Sequence, residues 1–408
     1  MTTEGSVKGC ENSRGGCMSE IYFDNAATTP MRPEVVQAMS PFFTEVCGNP
    51  SSLHMSGQRA KRAMEEARQT VASAVGAHSK EIFFTSGGTE SNNLAIRGVA
   101  QAARDRGRHI ITSAIEHQAV LNVCKALEKD GFDVTYLPVD KFGIVDLEAL
   151  RDNIRSDTVL VSIMLANNEV GTIQPLSQVA AMTREKNILL HTDGCQAVGK
   201  MAVHVDKLGV DLLSLAGHKF YGPKGQGALY VRKGTEIVPP MQGGHQERLL
   251  RPGTENVPGI VGLATAIRLA TEDLPVESAR VGTLRDRLEE SIRARVSDVS
   301  FNGHRELRVP NIANISFASV EGESLLLALD VKGISVSTGS ACNAGSSEPS
   351  HVLRAMGLDG SLAEGSLRFS LGRQNTEAEV DAVVGAVSEV VSQLRESVTA
   401  RPSAVGRC

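Results

Sequence analysis

The sequence predicts an α/β protein built on a mainly parallel sheet, with a smaller α+β unit toward the C-terminus. Three observations carry this. From about residue 80, short apolar blocks alternate with segments of helical period. The blocks are bounded by polar residues or glycine, the pattern of strands buried on both faces. After "RPGTENVPG" the alternation stops, and one long helical stretch precedes a new group of strands and helices.

In order along the chain, "EIFFTSG" reads as a strand and the stretch from Thr89 to about Arg104 as a helix. "HIITS", "DVTYLPV", "TVLVSIMLA", "ILLHTD" and "DLLSLAG" read as further strands, separated by helical patterns such as "HQAVLNVCKALEKDG" and "PLSQVAAMTREKN". Strand–helix repetition of this kind means parallel strands with helices on both sides. "QGALYVR" adds a seventh strand, compatible with an antiparallel direction. A helix from about Val257 to Arg295 is expected at the joint between domains. "NIANISF", the helix "EGESLLLALD", "GSLRFSLG" and a final helix then form the smaller unit. The expected division is a flexible leader over 1–20, a large domain over 21–260, a small domain over 261–397 and a flexible tail over 398–408. No internal repeat is visible.

Composition narrows the function classes. Lys plus Arg number 42 against 47 Asp plus Glu in 408 residues, a slightly acidic balance that argues against bulk binding to nucleic acid. The 7 cysteines are spread without paired metal spacing, which suits a reducing cytosol better than a disulfide framework. Cys10 and Cys17 come nearest to a pair, in a polar leader that offers no core-forming face. No apolar run reaches the length of a membrane span, and no signal-peptide core is present. A cytoplasmic protein is expected.

Three motifs carry chemistry. In "FTSGGTESNNLAI" a strand ends, two glycines follow and a helix opens at Thr89. Backbone N–H groups at such a helix start, with a hydroxyl beside them, suit a phosphate dianion. In "HTDGCQAVGK", Asp193 falls at the C-terminal end of a buried strand, where open α/β sheets form their ligand crevice. In "LLSLAGHKFYGPKG", Lys219 follows another strand end, and a desolvated lysine there is a Schiff-base candidate. Each motif alone is equally compatible with a capping turn or a surface lysine. Together, in this order on one scaffold, they are the parts a pyridoxal phosphate enzyme needs. A further stretch, "TGSACNAGSS", sets Cys342 among small residues that cannot anchor it in a core.

With these motifs in hand, the chain resembles the cysteine desulfurases, pyridoxal phosphate enzymes of fold type I in the class-V aminotransferase group. The resemblance runs from "YFDNAATTP" at Tyr22 to "LRFSLGRQNT" near Thr376 and includes "GNPSSLH", "NNEVG", "GHKFYGPKG", "RPGTEN" and "STGSAC". It implies a seven-stranded large domain and a homodimer. It also implies Lys219 as the Schiff-base lysine and proton carrier, Asp193 against the pyridine nitrogen, and Gln196 at the ring's phenolic oxygen. His117 would stack on the ring as acid/base, with Asn168 near ring and substrate. Gly88, Thr89 and His218 would hold the phosphate, joined by Thr254 from the partner subunit. Arg368 would clamp the carboxylate of L-cysteine, and Cys342 would collect sulfur as a persulfide for acceptor proteins of iron–sulfur assembly or tRNA thiolation. No intrinsic metal is implied, although Cys342 is placed to share a cluster transiently with a scaffold protein.

Three departures stand out. Ala216 replaces a serine that many relatives use on the phosphate, and His245 replaces a glycine of a common triplet. Cys195 lies two residues after Asp193, as packing or as a second reactive sulfur. Selenocysteine lyase is the rival reading, since "SNNL", "HTD" and "GHKFYGP" also resemble that group. A non-catalytic sulfur-transfer partner is disfavoured by the joint presence of Lys219, Asp193, His117 and Cys342.

Overall fold

Residues 20–338 and 349–399 are described by the computed structural model. Its central sheet has 7 strands, in the order Ile82–Thr85, Gly227–Val231, Leu212–Ala216, Leu189–Asp193, Thr158–Ser162, His109–Ser113 and Asp133–Leu137. Every neighbouring pair is parallel except those of Gly227–Val231, which runs antiparallel to both its neighbours. All seven expected strands are present. The regular strand of the block "TVLVSIMLA" ends at Ser162, although Ile163 N and Leu165 N still donate to His191 O and Asp193 O; Met164 N donates to the Glu116 carboxylate at 2.8 Å.

Successive residues of these strands feed opposite faces, as a pleated strand requires. Ile111 and Leu213 join one apolar cluster, with Val71, Leu190 and Ile267. Their neighbours Ile110 and Leu212 join another, with Leu94, Val99 and Val123 from the helices Gly88–Ala102 and Gln118–Lys129. Both faces are therefore covered, and the C-terminal strand ends open at one edge of the layer.

The smaller unit is an antiparallel sheet of 4 strands, ordered Ser337–Thr338, Ser366–Ser370, Ile312–Phe317 and Val299–Asn302. Its core gathers Leu288, Phe317, Phe369 and Val384. The helix Val257–Arg295, 39 residues long, serves both cores. Its first half gives Ile260, Leu263 and Ile267 to the large sheet, and its second gives Leu284, Leu288 and Ile292 to the small one. Pro275 lies between the two halves. The chain's early residues also cross over. Ile21 and Tyr22 pair with Ile334 and Ser335, and Phe23 is buried in the second core.

One turn bears directly on the crevice. Glu247, Arg248 and Leu249 all have positive φ (43°, 54° and 71°), a region that non-glycine residues occupy at a cost. Buried Glu247 holds the turn in place: its two carboxylate oxygens take Arg68 Nη1 and Nη2 at 2.7 Å each. It also accepts Phe84 N at 2.8 Å, so the turn is tied to the strand that leads into the glycine loop. Glu247→Ala leaves the Arg68 charge buried without this partner. It should destabilise the protein by about 3–5 kcal/mol in urea titration. Replacing both residues by apolar ones of similar volume should cost much less.

Candidate active site

The strand ends at Thr85, Asp193 and Ala216 converge on a cavity of about 350 Å³, at the edge where open α/β sheets bind ligands. Gly88, Thr89, His117, Asn168, Asp193, Gln196, His218, Lys219 and Arg368 all line it. Thr254 does not, and is exposed on the surface. Cys342 lies outside the described residues, as do Cys10 and Cys17.

Each wall has a local cause. Beyond Thr85 the chain turns through Gly87 at φ 153° and ψ −176°, a conformation open essentially only to glycine, with clear space where a side chain would stand. The helix Gly88–Ala102 starts there, and the N–H groups of its first turn have no intrahelical partner. Glu90 is drawn away from this cradle, accepting Ser86 N and Arg251 Nε at 2.7 Å each. A Cβ on Gly88 would lie 2.5 Å from Cys195 Sγ, so glycine and thiol fit each other. Burial pushes the Cys195 thiol well above its usual range, which keeps it protonated and favours its packing role.

Asp193 is buried, with Oδ2 accepting Asn92 Nδ2 at 2.7 Å and Oδ1 accepting Cys195 N at 2.9 Å. Lys219 closes a short 3-10 turn after the strand Leu212–Ala216, and its Nζ donates to Ala26 O at 2.7 Å and Ala27 O at 2.8 Å. Gln196 Nε2 donates to the same Ala26 carbonyl at 2.9 Å. His218 meets Thr28 Oγ1 through Nδ1 at 3.1 Å, and burial pushes its pKa down to about 4. His117 caps the helix Gln118–Lys129, its Nδ1 accepting Ala119 N at 3.1 Å. The neutral ring therefore carries its proton on Nε2.

Arg368 is 3% exposed and spans the two units. Its Nη2 donates to Asp24 Oδ1 and its Nη1 to Asn168 O, both at 2.9 Å. Its Nε has no partner among the described residues, leaving donor capacity for a carboxylate. Asp24, Asn92, Glu169, Lys200 and His351 complete the surroundings, and sequence reasoning singled out none of them. The motifs "FDNAATT", "SNNL" and "NNEVG" contain three of them, and Lys200 ends "HTDGCQAVGK". Glu169 accepts Ser350 Oγ, and burial raises its carboxyl to about 7. Glu116, next to His117, is raised by burial to about 8 although its Oε1 accepts Ser113 Oγ and Met164 N.

Residues 21–383 match the aminotransferase class-V family model. A cysteine desulfurase IscS of Methanosarcina thermophila is 53% identical over 391 residues, 96% of each chain. The chain belongs to the cysteine desulfurases of class V. Among solved structures, a NifS-like protein superposes with a TM-score of 0.86 at 43% identity, covering 92% of this chain and all (100%) of its own. "SspA in complex with cysteine" follows at 0.77 and 39%, covering 86% and 98%.

Cysteine desulfurases of this family use pyridoxal phosphate, and the cavity suits it. The cradle at Gly87 has room for a dianion, Asp193 offers a buried carboxylate to a ring N–H, and Asn92 Oδ1 is buried without a partner beside it. Lys219 brings an amine to the same space. Among the described residues no cluster of metal-ligating side chains occurs, and no helix is long and apolar enough to cross a membrane.

Two outcomes follow from this packing. Gly88→Ala should cost about 1–3 kcal/mol of apoprotein stability through overpacking. Cys195→Ala should recover most of that loss in a double-mutant cycle read by urea melts, because Sγ is what the new methyl meets. The second concerns Glu116. Its folded pKa is raised, so its contribution to stability is full below the unfolded value near 4.5 and is lost as pH rises through about 8. Glu116→Gln escapes that loss, so its melting temperature should gain on the wild type between pH 5 and pH 9.

Proposed function

We propose that this chain removes sulfur from L-cysteine, giving L-alanine and a persulfide on Cys342. The sulfur then passes to acceptor proteins for iron–sulfur cluster assembly or tRNA thiolation. The observation that carries the reading is the convergence of Lys219, Asp193, His117 and Arg368 on one cavity, beside the glycine cradle. Pyridoxal phosphate, when bound, supplies the electron sink that makes the substrate's Cα–H acidic. Gly88, Thr89 and His218 hold its phosphate, Asp193 its ring nitrogen, and Gln196 its phenolic oxygen.

The protein's own residues do the rest. Arg368 takes the substrate carboxylate, with Asn168 beside it, and Asp24 keeps the guanidinium aimed. Lys219, half-buried in the cavity wall, carries the proton taken from Cα. His117, with its proton on Nε2, serves as acid toward the substrate. The Cys342 thiolate attacks the substrate sulfur; the C–S bond breaks as the S–S bond forms, and the carbon that loses sulfur takes a proton. Cysteine plus thiol thus give alanine plus persulfide with no external oxidant. The protonated, packed state of Cys195 supports Cys342 as the acceptor.

We assign the protein to the cytoplasm as a homodimer in which Thr254 reaches the partner's phosphate site, in keeping with its exposure on the single chain. We divide the chain within the long helix rather than at residue 260, because residues up to Ala270 pack into the first core and those from Val281 into the second.

Lys219→Ala should lose the yellow cofactor band that borohydride bleaches and essentially all alanine formation. Cys342→Ser should keep that band, still bind cysteine, and release almost no alanine from it. Wild-type turnover should leave a persulfide on Cys342 that peptide mass spectrometry locates. Alanine release from cysteine by Cys342→Ser at the wild-type rate would refute the sulfur route. Activity of that variant confined to selenocysteine in a wild type inactive on cysteine would favour a lyase.

A further inference from the structure

Behind Lys219, on the side away from the glycine cradle, lies a second cleft of about 50 Å³. It sits where the two cores meet. Lys200, Lys219 and Tyr221 border it from the large unit, and Asn311 from the small one. The long helix supplies Asp273 and Glu277 at the mouth, their side chains 39% and 31% exposed, so the cleft opens to solvent.

Asn311 is the feature that needs an explanation. It is 3% exposed, yet neither Oδ1 nor Nδ2 has a partner among the described residues. Only its backbone is engaged, the carbonyl accepting Leu371 N at 2.9 Å. A buried amide left this way is costly, and in folded proteins ordered water meets such groups where space allows. A water needs roughly 10–15 Å³ and two or more polar partners, so this cleft has room for more than one.

The other end of the cleft is chemically active. Lys200 Nζ donates to Gln196 Oε1 at 3.2 Å. The amide of that glutamine donates to Ala26 O, the carbonyl that also takes Lys219 Nζ. Two amines are thus joined through one amide and one carbonyl. Burial, and then the nearby charge of Lys219, push Lys200 down to about 7, so it exchanges protons easily at neutral pH.

We propose that the cleft holds ordered water anchored on Asn311, which carries protons between solvent at Asp273 and Glu277 and the Lys200–Lys219 amine pair. This rests on Lys219 as the proton carrier of the proposed function. Each water hands on one proton as it receives another, and no electrons move. The net reaction consumes no proton; the path resets Lys219 between proton transfers while cofactor and substrate fill the front cavity. Asn311 and Lys200 act through water and Lys219, and are positioning residues.

The test uses the holoenzyme. Asn311→Leu fills the cleft with an apolar group of similar size, and Asn311→Ser keeps a hydroxyl and room for water. Asn311→Leu should retain the cofactor band and a KM for cysteine within about twofold, while kcat falls about tenfold and its solvent deuterium isotope effect rises. Asn311→Ser should stay near wild type in both. Should Asn311→Leu not fold, Lys200→Met is read the same way, with the expectation of lowered kcat, a raised isotope effect and loss of any inflection near pH 7. Unchanged kcat and isotope effect in Asn311→Leu, or in Lys200→Met, would overturn the path. So would a crystal structure of the wild-type holoenzyme with no water within hydrogen-bond distance of the Asn311 amide. A wild type that forms no alanine from cysteine refutes the proposed function instead, and is recognised before any variant is compared.

Discussion

Two backbone carbonyls hold the site together. Ala26 O and Ala27 O receive Lys219 Nζ, and Ala26 O also receives Gln196. One step earlier in the chain, Asn25 Nδ2 donates to Ser370 O, and Asp24 takes Arg368 from the small unit. Two residues later, Thr29 Oγ1 donates to His218 O. A six-residue stretch without a regular element therefore fixes the lysine, the glutamine, the histidine and the arginine relative to one another. These groups come from the two different sheets and their loops, and this one segment touches them all.

The carboxyls around the site are of two kinds. Asp193 and Asp24 have donors aimed at them, Asn92 and Cys195 N for the first and Arg368 for the second. Glu116 and Glu169 accept from neutral donors, Ser113 Oγ and Met164 N for the first and Ser350 Oγ for the second, and are raised by burial to about 8 and about 7. The two acids with raised values thus belong to the buried walls, while Asp193 lines the cavity and Asp24 takes the Arg368 guanidinium. Desolvation lowers the bases as well: His218 to about 4, which leaves it uncharged at neutral pH, and Lys200 to about 7, where both of its forms are populated.

Much of this was legible in the sequence because it depends on short periods. The parallel strands show as apolar blocks, and the antiparallel "QGALYVR" and the helix from Val257 to Arg295 fall where the pattern puts them. The glycine loop, Asp193 and Lys219 were legible as strand-end motifs, because chemistry there needs a specific side chain. Asp24, Asn92 and Lys200 were not, since a polar residue near a motif looks like any turn residue until its partner is known. The carbonyls of Ala26 and Ala27 have no side-chain signature at all. Asn311 was hidden for the opposite reason: it opens the apolar strand block "NIANISF", where an asparagine reads as a strand boundary. Thr254, taken from the resemblance alone, is exposed and stands apart from the cavity that the other predicted residues line.

The edge position of Ile82–Thr85 has a consequence for synthesis. Its only sheet neighbour is Gly227–Val231, so the strand that presents the glycine loop emerges from a ribosome long before it has anything to pair with. The segment at Ala26 waits longer still, because Ala26 N is held by Ser370 Oγ near the other end of the chain. The earliest-made parts of the site are the last to be locked, and the middle strands, made in between, provide the template. The pocket therefore closes only when residues far apart in the chain have met, whereas the middle of the sheet needs no such partner.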